Sequence, residues 1–350
     1  MFEAEGLNKA YAGHRKMLER AVKVGDTLKG RFHDMSDAID AILIAAITGE
    51  ALLLIGPPGT AKSRVIRSFC NLIGLLPDSV LQGDGRDEAR SDAYFEYLLT
   101  QFTEPSELFG FFDIPKLMEK DGQMVRLDDG MMQRAQIVFL DEVFNASSAI
   151  LNSLLTFMNE RRFHDRGRAI PTNLRLLVSA TNHTPTEPHL AAVYDRFLLR
   201  CRLENVAQRA TREADLVHLL NAAWSESHAP RIAKSEKDTS LLEAFAGYRD
   251  SIDQMTADGT LRINPQDPVF AELNSLVILM VKHGLSDMSN RRLVKMTGIV
   301  MCARMLRAAR EGQDKIAIER SDLAIILKYS VDHDDPSAIS RIRQELGWAL

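Results

Sequence analysis

The chain has 350 residues, of which 45% are hydrophobic and 26% charged, so it has enough apolar material for more than one packed unit and the balance of a globular protein. A net charge of −5 excludes a broad cationic face for nucleic acid, though not a local basic patch. Cys70, Cys201 and Cys302 are odd in number, far apart and without a CxxC pair, which excludes a disulfide framework or a zinc site and predicts small buried apolar residues.

The opening stretch "MFEAEGLNKAYAGHRKML" mixes both charge signs and lacks an apolar h-region, so it does not read as a signal peptide. "AIDAILIAAITGEALLLIG" is interrupted at Thr48, Gly49 and Glu50, short of the ~20 apolar residues that a membrane span needs. It reads as a helix, a stop at Gly49 and a strand at 51–55, with no membrane insertion and a cytoplasmic location expected.

That strand runs into "GPPGTAKS", which fits the phosphate-loop pattern G-x-x-x-x-G-K-[ST] except at one position. Gly56, Pro57, Pro58, Gly59, Thr60, Ala61, Lys62 and Ser63 form it, followed by a helical stretch. Loop N–H groups and the helix N-terminus would face phosphates, Lys62 would reach the β- and γ-phosphates, and the Ser63 hydroxyl would ligate Mg²⁺. Ala61 stands where most such loops have glycine. It is expected to be tolerated with helical backbone, without positive φ.

Further along, residues 77–92 read as a polar loop and 94–100 as a strand. In "ELFGFFDI", Phe109, Phe111 and Phe112 flank Gly110; an aromatic–glycine loop of this kind either grips a peptide or packs against the core. The following "DIPKLMEKDGQMVRLDDGMMQRA" breaks the strand–helix rhythm, and its steps Asp121-Gly122 and Asp129-Gly130 suggest tight turns.

The strand at 136–140 ends in Asp141 and Glu142, an acid for the Mg²⁺ shell and one to orient or deprotonate a water. "SSAILNSLLTFMNE" is helical in period, and "RRFHDRGRAIPTN" suits a hairpin made basic by Arg161, Arg162, Arg166 and Arg168. A strand at 174–180 leads to Asn182, whose amide could bond the attacking water or the γ-phosphate. Arg196 precedes a last strand at 197–203. Beyond a composition shift near 205–207 every segment is helical in period, with a turn at 264–268. One helix opens on "SNRR", with Arg291 and Arg292. Alternating strands and helices predict a parallel α/β sheet, followed by a helical region.

"GPPGTAKS", "IVFLDEVFNASSAILNSLLTFMNERRF", "LRLLVSATN", "YDRFLLR" and "SNRR" together resemble the MoxR group of AAA+ ATPases, and within it the RavA-like regulatory ATPases. The likeness covers roughly 31–330, and alanine before the loop lysine is usual in that group. It implies an αβα nucleotide domain with a five-stranded parallel sheet and an all-helical lid. The domains would be a helical linker at 1–35, the nucleotide domain at 36–205, the lid at 206–335 and a tail at 336–350. It further implies ATP/ADP and Mg²⁺ as cofactors, a hexameric homo-oligomer, and a chaperone-like action on a partner with a von Willebrand factor A domain. By the same likeness Asn182 matches sensor 1, Arg196 the arginine finger acting on a neighbour's nucleotide, and Arg291 the sensor 2 arginine, with Arg292 as the competing assignment. Segments near 113–135 and 162–172 match the helix 2 insert and the pre-sensor-1 hairpin. A DNA-directed motor, a chelatase-type subunit and a non-hydrolysing switch are the rival functions.

Overall fold

The computed structural model describes residues 1–81, 92–119, 122, 124–165, 167–205, 213–228 and 234–348, with backbone only for 213–216 and 225–228. In chain order the elements are α1 (Ala4–Arg31), α2 (Ser36–Thr48), β1 (Leu52–Ile55), α3 (Lys62–Leu72), β2 (Tyr94–Leu98), α4 (Pro105–Phe109), α5 (Ile114–Leu117), β3 (Ile137–Asp141) and α6 (Ser148–Glu160). They continue with β4 (Arg162–Asp165), β5 (Arg168–Pro171), β6 (Leu176–Thr181), α7 (Ala191–Tyr194) and β7 (Leu199–Arg202). The helical half holds α8 (Glu213–His228), α9 (Leu241–Ala257), α10 (Val269–Lys282), α11 (Asn290–Glu311), α12 (Ala324–Tyr329) and α13 (Pro336–Glu345).

Five strands pair in parallel in the order β2-β3-β6-β1-β7, and all five expected strands are present. The strands are apolar on both sides because both faces are covered. Alternation divides their side chains between two cores. Leu52, Leu54, Ile137, Phe139, Leu176 and Val178 join α1, α2, α3 and the C-terminal helices in one cluster. Leu53, Ile55, Val138, Leu140 and Leu177 join α6 and the segment around Phe109 in the other. The first cluster runs from the sheet into the helical half.

α1 presents Leu7, Ala10, Tyr11, Leu18, Ala21, Val22, Gly25 and Leu28, a helical-period stripe that is buried. The segment expected as a linker therefore packs on α2, α9 and α11. Asn8 joins α1 to the segment between α11 and α12, accepting from the Ile316 N–H at 2.7 Å and donating to the Ile316 carbonyl at 3.0 Å. The segment expected as a tail forms α13, which buries Ala338 and Ile342 and pairs Glu345 with His283 at 2.8 Å. α2 is apolar nearly all round and is stopped by Gly49 in the left-handed conformation, φ 72°.

The expected hairpin is the β4–β5 pair, antiparallel from Arg162↔Pro171 to Asp165↔Arg168; Arg166 lies outside the described residues. The expected insert contains α5 and an isolated bridge between Phe112 and Arg126. Its Asp129-Gly130 step is a turn with Gly130 at φ 69°, whereas the Asp121 step and residues 82–91 of the expected polar loop lie outside the described residues. Phe109 is 2% exposed and stacks on Phe163 with centroids 4.4 Å apart, and Phe112 lies under the Arg126 guanidinium at 4.3 Å. Of the three, Phe111 alone stands out, at 58% exposure. Cys70, Cys201 and Cys302 are buried and unpaired, and no described helix is long and apolar enough to cross a membrane.

Candidate nucleotide site

Register alone brings the expected residues of the phosphate loop, the acidic pair and the amide to one edge. Ile55 pairs with Thr181 and Leu140 with Ser179, so Gly56 and Asn182 follow β1 and β6 where Asp141 ends β3, all at the C-terminal ends of adjacent strands. The Gly56 N–H donates to the Thr181 carbonyl at 3.0 Å. A Cβ at Gly56 would stand 2.5 Å from the Leu203 carbonyl, so glycine is required where β7 crosses behind the loop.

Lys62 opens α3 and is 8% exposed. Its ammonium donates to the Gly56 carbonyl at 2.6 Å, the Pro57 carbonyl at 3.2 Å and Asn182 Oδ1 at 3.2 Å. Burial lowers its pKa, opposed by the charges of Asp141 and Glu142. Thr60 Oγ1 closes the loop on the Pro57 carbonyl at 2.9 Å. Ala61 is not helical as expected: it sits at φ 56°, ψ 24°, the left-handed region. The chain must turn sharply from Gly59, at φ 83°, into the first turn of α3, and the Ala61 carbonyl already accepts from the Val65 N–H at 3.0 Å. The methyl group is carried at the strain that glycine elsewhere avoids, about 1 kcal/mol.

Glu142 is also left-handed, at φ 53°, and its N–H donates to Asp141 Oδ1 at 3.1 Å. Burial raises its pKa, Asp141 adds to the rise, and Lys62 with the Asn182 N–H opposes it. A carboxylate that is costly to ionise beside a lysine is suited to take a proton. Ser63, Asp141 and the loop N–H groups fit a Mg²⁺–phosphate group, Gly59 having open space in front of it.

Beside the loop lies a cavity of about 150 Å³ that the sequence reading missed. Phe32, His33, Asp34 and Met35, from the α1–α2 connection, face Gly59, Thr60 and Ala61 across it, with Leu219 and Ala223 of α8 as a further wall. His33 stacks on His218 with centroids 5.9 Å apart. Asp34 is left-handed at φ 58°. The run "RFHD" carries no recognisable pattern, so only the fold reveals it.

The arginines stand elsewhere. Arg196 precedes β7, whose Leu199 pairs with Leu52 at the start of β1. It therefore lies at the N-terminal edge of the sheet, a strand's length from Lys62. There it is half-buried; burial and the neighbouring Arg291 lower its pKa against Asp195. Its Nε has no hydrogen-bond partner among the described residues. Arg291 Nη2 reaches Asn159 of α6 at 2.9 Å. Arg292, in contrast, is 2% exposed and bound to Asp332 at 2.9 and 3.0 Å and to Ser330. Asp332 also accepts from Arg200 of β7, while its carbonyl takes Tyr194 Oη at 3.1 Å and Arg202 Nη2 at 3.2 Å. The structure thus brings Arg196 and Arg291 together and apart from the loop, and makes Arg292 a tie between the helical half and β7.

A phosphate loop after β1, an acidic pair after β3, a polar amide after β6 and the strand order around them define an AAA+ type P-loop ATPase fold with a helical companion. The chain belongs to the MoxR group of that class: residues 19–246 match the family described as the MoxR domain in the MoxR-vWA-beta-propeller ternary systems. Among relatives, "Uncharacterized protein MJ0079" of Methanocaldococcus jannaschii is 36% identical over 235 residues, 67% of this chain and 56% of that protein. "Uncharacterized protein MJ0812" of the same organism is 38% identical over 178 residues, 51% of this chain and 43% of that protein. "Structural protein ORF618" of Acidianus two-tailed virus is 32% identical over 223 residues, 63% of this chain and 33% of that protein. This chain thus spans about half the length of these relatives, or less. The crystal structure of a candidate ATPase from Cytophaga hutchinsonii superposes with a TM-score of 0.60 over 97% of this chain and 94% of that one; at 15% identity the likeness is one of fold.

Proposed function

We propose that this chain hydrolyses ATP between the protomers of a hexameric ring and uses the cycle to remodel or activate a partner protein with a von Willebrand factor A domain. The observation that carries the catalytic part is the separation of two half-sites. Lys62, Ser63, Asp141, Glu142 and Asn182 gather at one edge of the sheet, while Arg196 and Arg291 wait at the other. A strand's length keeps Arg196 from its own loop, so its partly exposed guanidinium, held only loosely by Asp195 at 3.9 Å, suits a phosphate held by a neighbour.

In this reading Lys62 and the N-terminus of α3 hold the phosphates, and Ser63 and Asp141 hold Mg²⁺, which shields the charge of the leaving oxygens. Glu142 takes the proton of the attacking water, and Asn182 orients that water or the γ-phosphate. Arg196 stabilises the transition-state charge in trans, worth on the order of 10³–10⁵ in rate in P-loop enzymes, and Arg291 acts beside it as the sensor. The von Willebrand factor A partner rests on the description of the matching family alone. The DNA-motor alternative is weakened by Arg161, which turns inward from the basic hairpin to the Gly49 carbonyl at 2.6 Å.

The test is phosphate release by mixed rings. Arg196→Ala and Glu142→Gln are each expected to be inactive alone and to regain activity on mixing, because some interfaces then combine an intact finger with an intact base. Mixtures as inactive as their components, with subunit exchange demonstrated, would overturn action in trans.

A further inference from the structure

A second cavity, of about 1350 Å³, opens at the N-terminal edge of the sheet between the strand entries and helices α9 and α11. Four arginines line it, Arg161, Arg175, Arg249 and Arg262, with Lys295, against the carboxylates of Glu50, Glu243, Asp250 and Asp253. Arg161 donates to the carbonyls of Gly49 and Leu174, and Arg249 Nη1 to those of Ala46 at 2.8 Å and Ile47 at 3.3 Å. These carbonyls are largely the C-terminal end of α2, which offers about half a negative charge to two full positive ones. Among the described residues neither Arg161 nor Arg249 pairs with a carboxylate, and Nε and Nη2 of Arg249 hold no partner. Arg175 meets only the exposed Glu243, at 3.7 Å, and the nearby Glu50 is taken by Lys295 at 2.8 Å.

The guanidiniums crowd one another. Burial, then Arg161 and Arg175, push Arg249 down to about 10, against Asp250 and Asp253. Burial also lowers Arg161, with Arg175 adding to the effect against Glu50. Four non-glycine residues have positive φ among the described residues: Asp34, Ala61, Glu142 and Arg161. The first three border the phosphate loop and its neighbours, and Arg161 is the left-handed cap that ends α6, which turns its side chain into this cleft. One wall is apolar, with Ile252, Ile263 and Val294; the last two are 52% and 71% exposed.

We propose that this cleft binds a small organic anion, a carboxylate or phosphate monoester carried on an apolar body, with its head between Arg175 and Arg249 and its body along Ile263 and Val294. The cleft is wide enough to admit such a molecule, and convergent cations above an apolar wall are the usual make-up of such a site. The site is separate from the nucleotide loop, which lies at the opposite edge of the sheet.

The experiment is calorimetric titration of the protein, already saturated with ADP and Mg²⁺ so that its phosphate loop is filled, with phenyl phosphate and separately with benzoate, at constant ionic strength in chloride. At least one probe is expected to bind once per chain with a dissociation constant below about 1 mM. That binding should weaken at least about tenfold in Arg175→Gln and in Val294→Glu, neither of which removes a cap of α2. ADP affinity should be unchanged in both. The stronger of the two probes tells which head group the site prefers. Equal affinity in wild type and variants, or no heat beyond the chloride control with either probe, would overturn the proposal and leave the arginines as caps of α2.

Discussion

The Arg292 guanidinium is bound to the Asp332 carboxylate at 2.9 and 3.0 Å, inside the protein, while its neighbour Arg291 points out to Asn159. Burial would raise the Asp332 pKa, but Arg200 and Arg292 outweigh it and hold the carboxyl below its ordinary value of 3.8. Removing the carboxylate strands two buried guanidiniums. Asp332→Asn is therefore expected to cost about 3–5 kcal/mol, the usual cost of breaking a buried ion pair from one side. Arg291→Ala should leave thermal stability unchanged and lower ATP turnover. Calorimetry and phosphate release on the two variants check both halves, and a turnover loss confined to Arg292→Ala would exchange the roles of the two arginines.

Ionisation of Glu142 is opposed by burial and by Asp141, so its pKa lies above the ordinary 4.5. A base must be deprotonated to act, so turnover should fall as pH drops through that raised value, on the neutral side of 4.5. The stability effect has the opposite sense. A raised carboxyl pKa makes the folded state hold its proton more tightly, so Glu142 costs stability as pH rises above 4.5, and Glu142→Gln should melt higher than wild type near neutrality. That gap should close in acid. A melting difference that grows as pH falls would contradict it.

At Ala61 the left-handed backbone carries a methyl group. Ala61→Gly is expected to relieve about 1 kcal/mol of strain, partly offset by the greater freedom of glycine in the unfolded chain. The net result should be a melting rise of up to about 2 °C for a chain of this size. ADP affinity, measured by titration, should be the same or higher. A fall in melting temperature would mean that packing of the methyl group against α3 outweighs the backbone.

Phe109 and Phe111 are two residues apart and differ in kind. Phe109→Ala empties a stacked position beside Phe163 and should cost about 3–5 kcal/mol. Phe111→Ala should change stability by no more than about 0.5 kcal/mol. Only the second variant can therefore report on contact with a partner. Equal destabilisation by both, in chemical denaturation, would show that Phe111 is also held by packing.

Much of this was legible in the sequence because the signals are local. An unbroken apolar run feeding "GPPGTAKS", or "IVFL" feeding Asp141, states both the element and its chemistry within ten residues. Parallel pairing then follows from burial of both faces, whereas the strand order and register come from the fold alone. What escaped was set by distance or by backbone geometry. Phe32–Met35 lines the cavity beside the phosphate loop only because α1 and α2 fold across the sheet. The left-handed turn at Ala61 depends on how Gly59 and Lys62 are held, which composition does not reveal. The identity of the buried arginine in "SNRR" depended on Asp332, forty residues on.

The two hydrogen bonds between Asn8 and Ile316 join residues 308 apart. At about 5–20 residues per second, a ribosome would make the first partner some 15–60 s before the second. For most of that interval the apolar stripe of α1 has α2 to lean on, but not yet α9 or α11, which begin only at Leu241 and Asn290. Contacts of such long range also slow folding. This protein is therefore most exposed to aggregation while it is being born, and α1 must wait for partners made long after it.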